Sequence, residues 1–406
     1  MVKIDFSDFW ASFSSTSMPL RSEATSVSPP SPPIDAESSV TKKAQRLLSI
    51  DALRGFDMLF ISGAGTFLLL MEGKTSWAWV DSLAQQMEHP AWDGFTFYDF
   101  IFPLFLFIAG VSLPFSLHKA RGLGMHKAEI YRKALGRTLI LIALGILYKN
   151  SPIPFFEPSQ IRWVSVLGRI GIAGFITTLL YLNFSFRGRL LWVGGILLLY
   201  YAAPYLVPVP GYGAGDLSFD GNLVGWVDRT FLPGRLHQGT YDELGLLTQL
   251  PALCLTVLGA AAGDILRIKQ NEKRTLLRLL VAGMVCLGLG LLWSIHFPIN
   301  KHLWTSSFIL LTGGMAFLLL TLFFWIIDVL HYRRWAFFFQ VIGLNSLTIY
   351  LAYRFINFQH TSQLLFGGIY APAPEPWHEV FQAVGALALV WLFLYFLYRN
   401  KLFLKV

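Results

Sequence analysis

Charge is scarce in this sequence, and cysteine is almost missing. Only 14% of its 406 residues are Asp, Glu, Lys or Arg, against about a quarter in soluble domains. That shortfall excludes an ordinary soluble enzyme. The two cysteines, Cys254 and Cys286, each lie inside an apolar run, so they supply neither a disulfide framework nor a metal cage and read as packing residues. None of the nine histidines stands in HExxH or in paired metal-ligand spacing, and no Walker loop or G-x-S-x-G elbow occurs, so no metal or ATP chemistry is assigned. A fixed-period repeat is lacking, as is the inverted repeat of many transporters.

What fills the chain instead is hydrophobic: 54% of residues are apolar and 16% aromatic. Runs of about 20 apolar residues, long enough to cross a hydrocarbon core of about 30 Å, recur from Ile50 almost to the end. The expected fold is an all-α, polytopic integral membrane helical bundle of about ten transmembrane helices. The spans fall at 47–70, 97–117, 134–149, 163–183, 190–207, 244–266, 275–297, 306–330, 340–357 and 379–398. Residues 1–45 are rich in Ser and Pro and read as a disordered cytoplasmic tail, within which Phe6, Phe9, Trp10 and Phe13 would suit a short interfacial helix. Residues 46–406 form the membrane domain.

The net charge of +8 is explained by orientation in the bilayer rather than by nucleic acid. Basic residues such as Lys119, Arg121, Arg187, Arg189, Arg267, Arg274, Arg333 and Arg399 gather at one set of helix ends, which the positive-inside rule makes cytoplasmic. Both termini are then cytoplasmic. The opposite loops, including 71–96, 208–243 and 298–305, hold much of the Pro, Trp and His, and sites tend to lie on such loops.

Among residues able to do chemistry, His89 precedes the second span and Asp99 falls in that helix's first or second turn. A carboxylate there is favoured by the helix dipole, with Thr96 as the cap. It could also accept a hydrogen bond from one imidazole nitrogen of His89, leaving the other free as a base. Asp51, Arg54 and Asp57, spaced i, i+3, i+6, line one face of the first span, either as a self-contained charge ladder or as a polar cytoplasmic vestibule. Arg169 is expected about two turns inside the fourth span, below Arg162 at its edge. Asn345, Ser346 and Tyr350 make a polar stripe in the ninth, suited to interhelical hydrogen bonds.

Several stretches then resemble one family. "SIDALRGF", "HPAWDGFTFYDFIFP", "RWVSVLGR", "FPINKHLWTSS", "GLNSLTIY" and the terminal "YFLYRNKLFLKV" are similar, in order from about residue 46 to the end, to heparan-alpha-glucosaminide N-acetyltransferase and its bacterial relatives. The second of these is the most specific. The resemblance implies a transmembrane acyltransferase domain over 46–406, moving an acetyl group from cytoplasmic acetyl-CoA to the amine of an amino sugar on the far side. It implies catalytic roles for His89 and Asp99, donor contacts from Asp51, Arg54, Arg169, Asn345 and Ser346, and acceptor contacts from Trp92, Asp93, Arg162, Asn300, Lys301 and Trp304. The expected partners are the lipid bilayer and the amino sugar, with a homodimer left open. The expected location is a bacterial inner membrane, with a lysosome-like membrane second. Departures are Gly168 in place of a glutamine, "DELG" at 242–245 in place of Asp-Pro-Glu-Gly, Tyr353 in place of histidine, and no counterpart here of the large luminal N-terminal part. The competing readings are a transporter of a small polar solute, or an acyltransferase with another donor or acceptor.

Overall fold

A computed structural model describes residues 47–268 and 271–404. The expected tail, 1–45, lies outside them. In chain order the helices are α1 (Leu48–Leu59), α2 (Gly65–Leu69), α3 (Ala78–Gln85), α4 (Phe97–Gly122), α5 (Lys127–Lys149), α6 (Val166–Asn183), α7 (Phe186–Leu206) and α8 (Leu223–Phe231). There follow α9 (Gln249–Arg267), α10 (Glu272–Trp293), α11 (Ser306–Phe324), α12 (Ala336–Leu344), α13 (Ser346–Phe355), α14 (Phe358–Tyr370) and α15 (His378–Arg399). The protein is an all-helical, multi-pass membrane protein. Among the described residues eight helices are long and apolar enough to cross a bilayer, and nine if the bent pair α12–α13 counts as one span.

Against the ten runs read from sequence, two differ for physical reasons. The run 134–149 is helical within α5, but that helix carries Lys127, Arg132, Lys133, Arg137 and Lys149. Its charge-free stretch, 138–148, covers only about 16 Å, which keeps α5 out of the eight by composition, yet the helix runs antiparallel beside α6 over its whole length, from Lys127 at Asn183 (3.2 Å) to Asn150 at the Arg162 amide (2.8 Å). The run 340–357 is broken at Asn345, where α12 and α13 meet at 67°. The first span is interrupted too, because Gly63 adopts φ 112°, a conformation open to glycine, and separates α1 from α2.

The core is built around α4 and α9, held close by glycines. A Cβ on Gly110 would collide with the Thr256 carbonyl, and one on Gly259 with that of Phe107, so the two backbones touch where only hydrogen atoms intervene. The α1–α12 crossing uses the same device, with Gly55 against the Phe339 carbonyl and Gly343 against that of Asp51. Leu104, Phe107, Leu255, Phe308 and Phe317 fill the space between α4, α9 and α11 and are buried. Central α4 is the element that positions the site.

Candidate active site

The site begins with a helix cap. Thr96 is extended (φ −121°, ψ 165°) and starts α4, so Asp99 at the third helical position turns its carboxylate back on the Thr96 amide, 3.1 Å away. The other carboxylate oxygen of Asp99 lies 2.7 Å from His89 Nδ1. Asp99 is 1% exposed, whereas the imidazole side chain is 42% exposed. An acceptor-only carboxylate at Nδ1 selects the tautomer protonated there and leaves the Nε2 lone pair outward. Capping and orienting are thus done by one residue with two oxygens.

Lys301 reaches the same pair from the segment between α10 and α11. Its ammonium is 3.3 Å from Asp99 Oδ1 and 3.2 and 3.1 Å from His89 Nδ1 and Nε2. The in-plane lone pairs of the two ring nitrogens diverge, so a group equidistant from both lies over the ring and not along either lone pair.

The acceptor residues named from the family motif take varied places. Asn300 donates to Asp93 (3.0 Å) and accepts from the Leu303 amide (2.8 Å), while the Gly94 amide donates to the Ile299 carbonyl (2.9 Å). These bonds stitch the His89 loop to the Lys301 loop. Trp304, with φ 52°, is buried under Arg169, whose guanidinium carbon lies 4.5 Å from the ring centre. Trp92 is pinned by an indole bond to the Leu217 carbonyl (3.0 Å) and stacks on His302 at 5.3 Å. Asn300 and Trp304 are buried and hold loops. Only Lys301 of this set touches the imidazole.

Arg162 is not open to an acceptor. Its Nε and Nη2 donate to Asp242 at 2.7 and 2.6 Å, in a bidentate pair buried on both sides. Arg169 sits in the first turn of α6 and not two turns in, because the helix starts at Val166, after Ser165 accepts from the Gly168 amide at 3.0 Å. Its Nη2 donates to the Glu243 carbonyl (2.8 Å) and to Thr248, while Nε and Nη1 have no hydrogen-bond partner.

Sequence reading missed a second imidazole–carboxylate pair beside the first. His302 Nδ1 lies 3.0 Å from Glu243 Oε1 and 2.8 Å from the Tyr241 hydroxyl, and its Nε2 lies 3.5 Å from the Pro90 carbonyl, next to His89. The loop that carries Glu243 is anchored by Asp228, which accepts from the amides of Asp242 (3.1 Å) and Leu246 (3.0 Å) and whose carboxyl burial pushes up to about 6. Burial also pushes Glu243 up, but the His302 hydrogen bond and the Lys301 charge outweigh it and hold the carboxyl down at about 2. A depressed carboxyl stabilises the fold fully above its unfolded value near 4.5 and loses that contribution as pH falls toward 2, an effect of about 3 kcal/mol at most. The melting temperature of Glu243→Gln in detergent should therefore fall furthest below wild type above pH 5 and approach it at pH 3. A gap independent of pH would refute the pairing.

The donor residues named from the resemblance are not brought together. Arg54 bonds Ser112 on α4 (2.8 Å) and pairs with Asp51 (3.4 Å). Ser112 is 13 residues beyond Asp99 on α4, about 20 Å along the helix. Asn345 and Ser346 lie at the α12–α13 break, just past the point where Gly343 meets the Asp51 carbonyl, and the Asn345 side-chain amide is buried with its nitrogen unpartnered. Arg169 is at the other end, its guanidinium carbon 6.0 Å from the ring centre of Phe102, about one turn past Asp99 on α4. Asp51, Arg54 and the Asn345 break thus form a polar station remote from His89. Arg169 does not belong to it.

A helical membrane protein with an oriented, half-exposed imidazole at the head of a core helix is the class that fold and site define. A family profile described as a domain of unknown function, DUF5009, matches residues 46–149. The chain is 26% identical to "Heparan-alpha-glucosaminide N-acetyltransferase" of Mus musculus over 89% of its own length and 61% of that protein's, and 26% identical to the Homo sapiens protein of that name over 89% and 60%. It is a distant relative of these proteins and spans about 60% of their length. The resemblance carried by the sequence motifs is borne out at that distance.

Proposed function

We propose that this chain is a membrane N-acetyltransferase that takes the acetyl group of cytoplasmic acetyl-CoA and places it on the amine of a glucosamine-type sugar on the opposite side of a bacterial inner membrane. The observation that carries the reading is the 2.7 Å contact between His89 Nδ1 and buried Asp99. An amino sugar is largely protonated near neutral pH and cannot attack a thioester until it loses a proton, which an imidazole is suited to accept. In direct transfer, Nε2 of His89 takes the ammonium proton and the free amine attacks the acetyl carbonyl. The C–S bond then breaks: the CoA thiolate leaves with the proton returned from His89, and the second amine proton, acidic once the nitrogen is acylated, is lost to water. In a covalent relay, Nε2 itself attacks the thioester, the C–S bond breaks and CoA leaves as a thiolate that is protonated by the ammonium; the free amine then attacks the acetyl-imidazole, the N–C bond to Nε2 breaks, and the second amine proton is lost to the freed ring or to water. Asp99 holds the ring in both. Lys301, within reach of the ring, adds positive charge where the carbonyl oxygen becomes anionic. The Asp51–Arg54 station keeps the CoA phosphates at the far end of α4, so only the acetyl end travels toward His89.

Incubating the purified protein with isotopically labelled acetyl-CoA and a panel of amino sugars, with mass spectrometric detection, should yield an N-acetylated sugar and free CoA in equal amounts. Absence of both across the panel, in a folded sample, would end the proposal. A second reading, passage of a small polar solute, is favoured by the two interrupted spans and by Asp57, buried with no hydrogen-bond partner at either carboxyl oxygen. Counterflow of labelled solute in liposomes without consumption of acetyl-CoA would select it.

A further inference from the structure

Away from His89, a cavity of about 1090 Å³ opens where α7 and α10 part over the face of α9. Its wall is apolar, with Leu258, Val281, Val285 and Leu289 along its length. Its end is not. Arg189, Arg267 and Arg278 line it with a single carboxylate, Asp264, so two positive charges there lack a balancing acid in the lining.

Two of the arginines are built into this end, and Arg278 is exposed at its rim. Arg189 is 93% buried by its 7% exposure, with its guanidinium carbon 4.2 Å from the Tyr181 ring centre. One nitrogen donates to Asp264 at 2.7 Å, and Nε and Nη1 have no hydrogen-bond partner among the described residues. The other oxygen of Asp264 is occupied by the Tyr181 hydroxyl at 2.6 Å. Arg267 keeps a buried Nε without a partner while its Nη1 lies 3.1 Å from His118 Nδ1. Buried guanidinium hydrogens left unbonded are costly, and a phosphate oxygen satisfies them with charge-assisted bonds. An apolar trough leading away from them accepts an acyl chain. A nucleotide would not fill it, since the wall offers neither donors nor acceptors along its length. Both α7 and α10 are long and apolar enough to span a bilayer and bury little of themselves inside the protein, so the cavity opens sideways between them.

We propose that this groove binds one anionic phospholipid, its phosphate held by Arg189, Arg267 and Arg278 and an acyl chain lying between α7 and α10. The site is separate from the transferase site and does not depend on it. Basic pockets between membrane helices are suited to such headgroups.

The test is native mass spectrometry of the full chain in detergent, titrated with phosphatidylglycerol or phosphatidylcholine. Phosphatidylglycerol should be retained at one equivalent and at least ten-fold more tightly than phosphatidylcholine. Arg267→Gln with Arg278→Gln should reduce that preference to near unity with an unchanged melting temperature, and Ala282→Trp, which fills the trough, should lose both lipids. Cys286 lines the groove, so its modification by an apolar maleimide should slow at least five-fold in phosphatidylglycerol nanodiscs relative to phosphatidylcholine ones. Equal retention of the two lipids, or an undiminished preference in the double arginine variant, would overturn the proposal. So would displacement of the lipid by acetyl-CoA, which would assign the arginines to the acyl donor. Should a variant unfold, the Cys286 comparison on the wild-type chain decides alone.

Discussion

Replacing His89 with alanine is expected to lower acetyl transfer by about 10²- to 10⁴-fold, the usual contribution of a positioned general base, while the melting temperature stays near wild type. The fold should tolerate the change because the side chain is 42% exposed and caps no helix. What it removes is an imidazole held at Nδ1 by a buried carboxylate and still partly exposed. Asp99→Asn should be milder in rate but diagnostic in form. It leaves the Thr96 cap partly intact while removing the acceptor that selects the Nδ1–H tautomer, so the pH profile of kcat should shift and not merely scale. Acid quenching during turnover separates the two mechanisms, since acetyl trapped on wild-type protein and absent from His89→Ala marks the covalent relay. Full activity in a folded His89→Ala sample would remove the imidazole from the chemistry.

Local contacts were legible in the sequence, and distant ones were not. His89 and Asp99 are ten residues apart and joined by a loop and a cap, so the hydrogen bond between them could be read from Thr96 and the start of the apolar run. Both readings of Asp99, cap and orienter, hold together because a carboxylate has two oxygens. Arg162 and Asp242, 80 residues apart, cannot be paired by any pattern, so from sequence alone the arginine reads as an acceptor ligand. His302 and Glu243 escaped for the same reason, although the doubled acid in "DELG" stood in view as a departure. Hydrophobic runs located the spans, but a run cannot report a break. Asn345 and Gly63 interrupt helices through backbone geometry set by tertiary packing, not by loss of hydrophobicity. The charge on α5 is visible in the sequence and lowers its mean hydropathy without keeping the helix from lying alongside α6.

Breaking the Arg162–Asp242 pair should be the most damaging substitution for stability. Arg162→Ala leaves the Asp242 carboxylate buried, with only the amides of His237 (3.1 Å) and Leu244 (2.9 Å) as donors. Losing one partner of such a pair costs about 3–5 kcal/mol, whereas replacing both with apolar groups of similar volume is near neutral. Arg162→Met should therefore lower the unfolding midpoint in detergent sharply, and Arg162→Met with Asp242→Leu should recover most of it. The loop in question also carries the Glu243 carbonyl that holds Arg169, which in turn lies against Trp304, three residues from Lys301. Activity in the single variant should fall with the folded fraction, and return in the double variant to the extent that this loop is restored. A double variant that regains stability but stays inactive would mean that the charge of Arg162 itself, and not only its hold on the loop, serves the reaction.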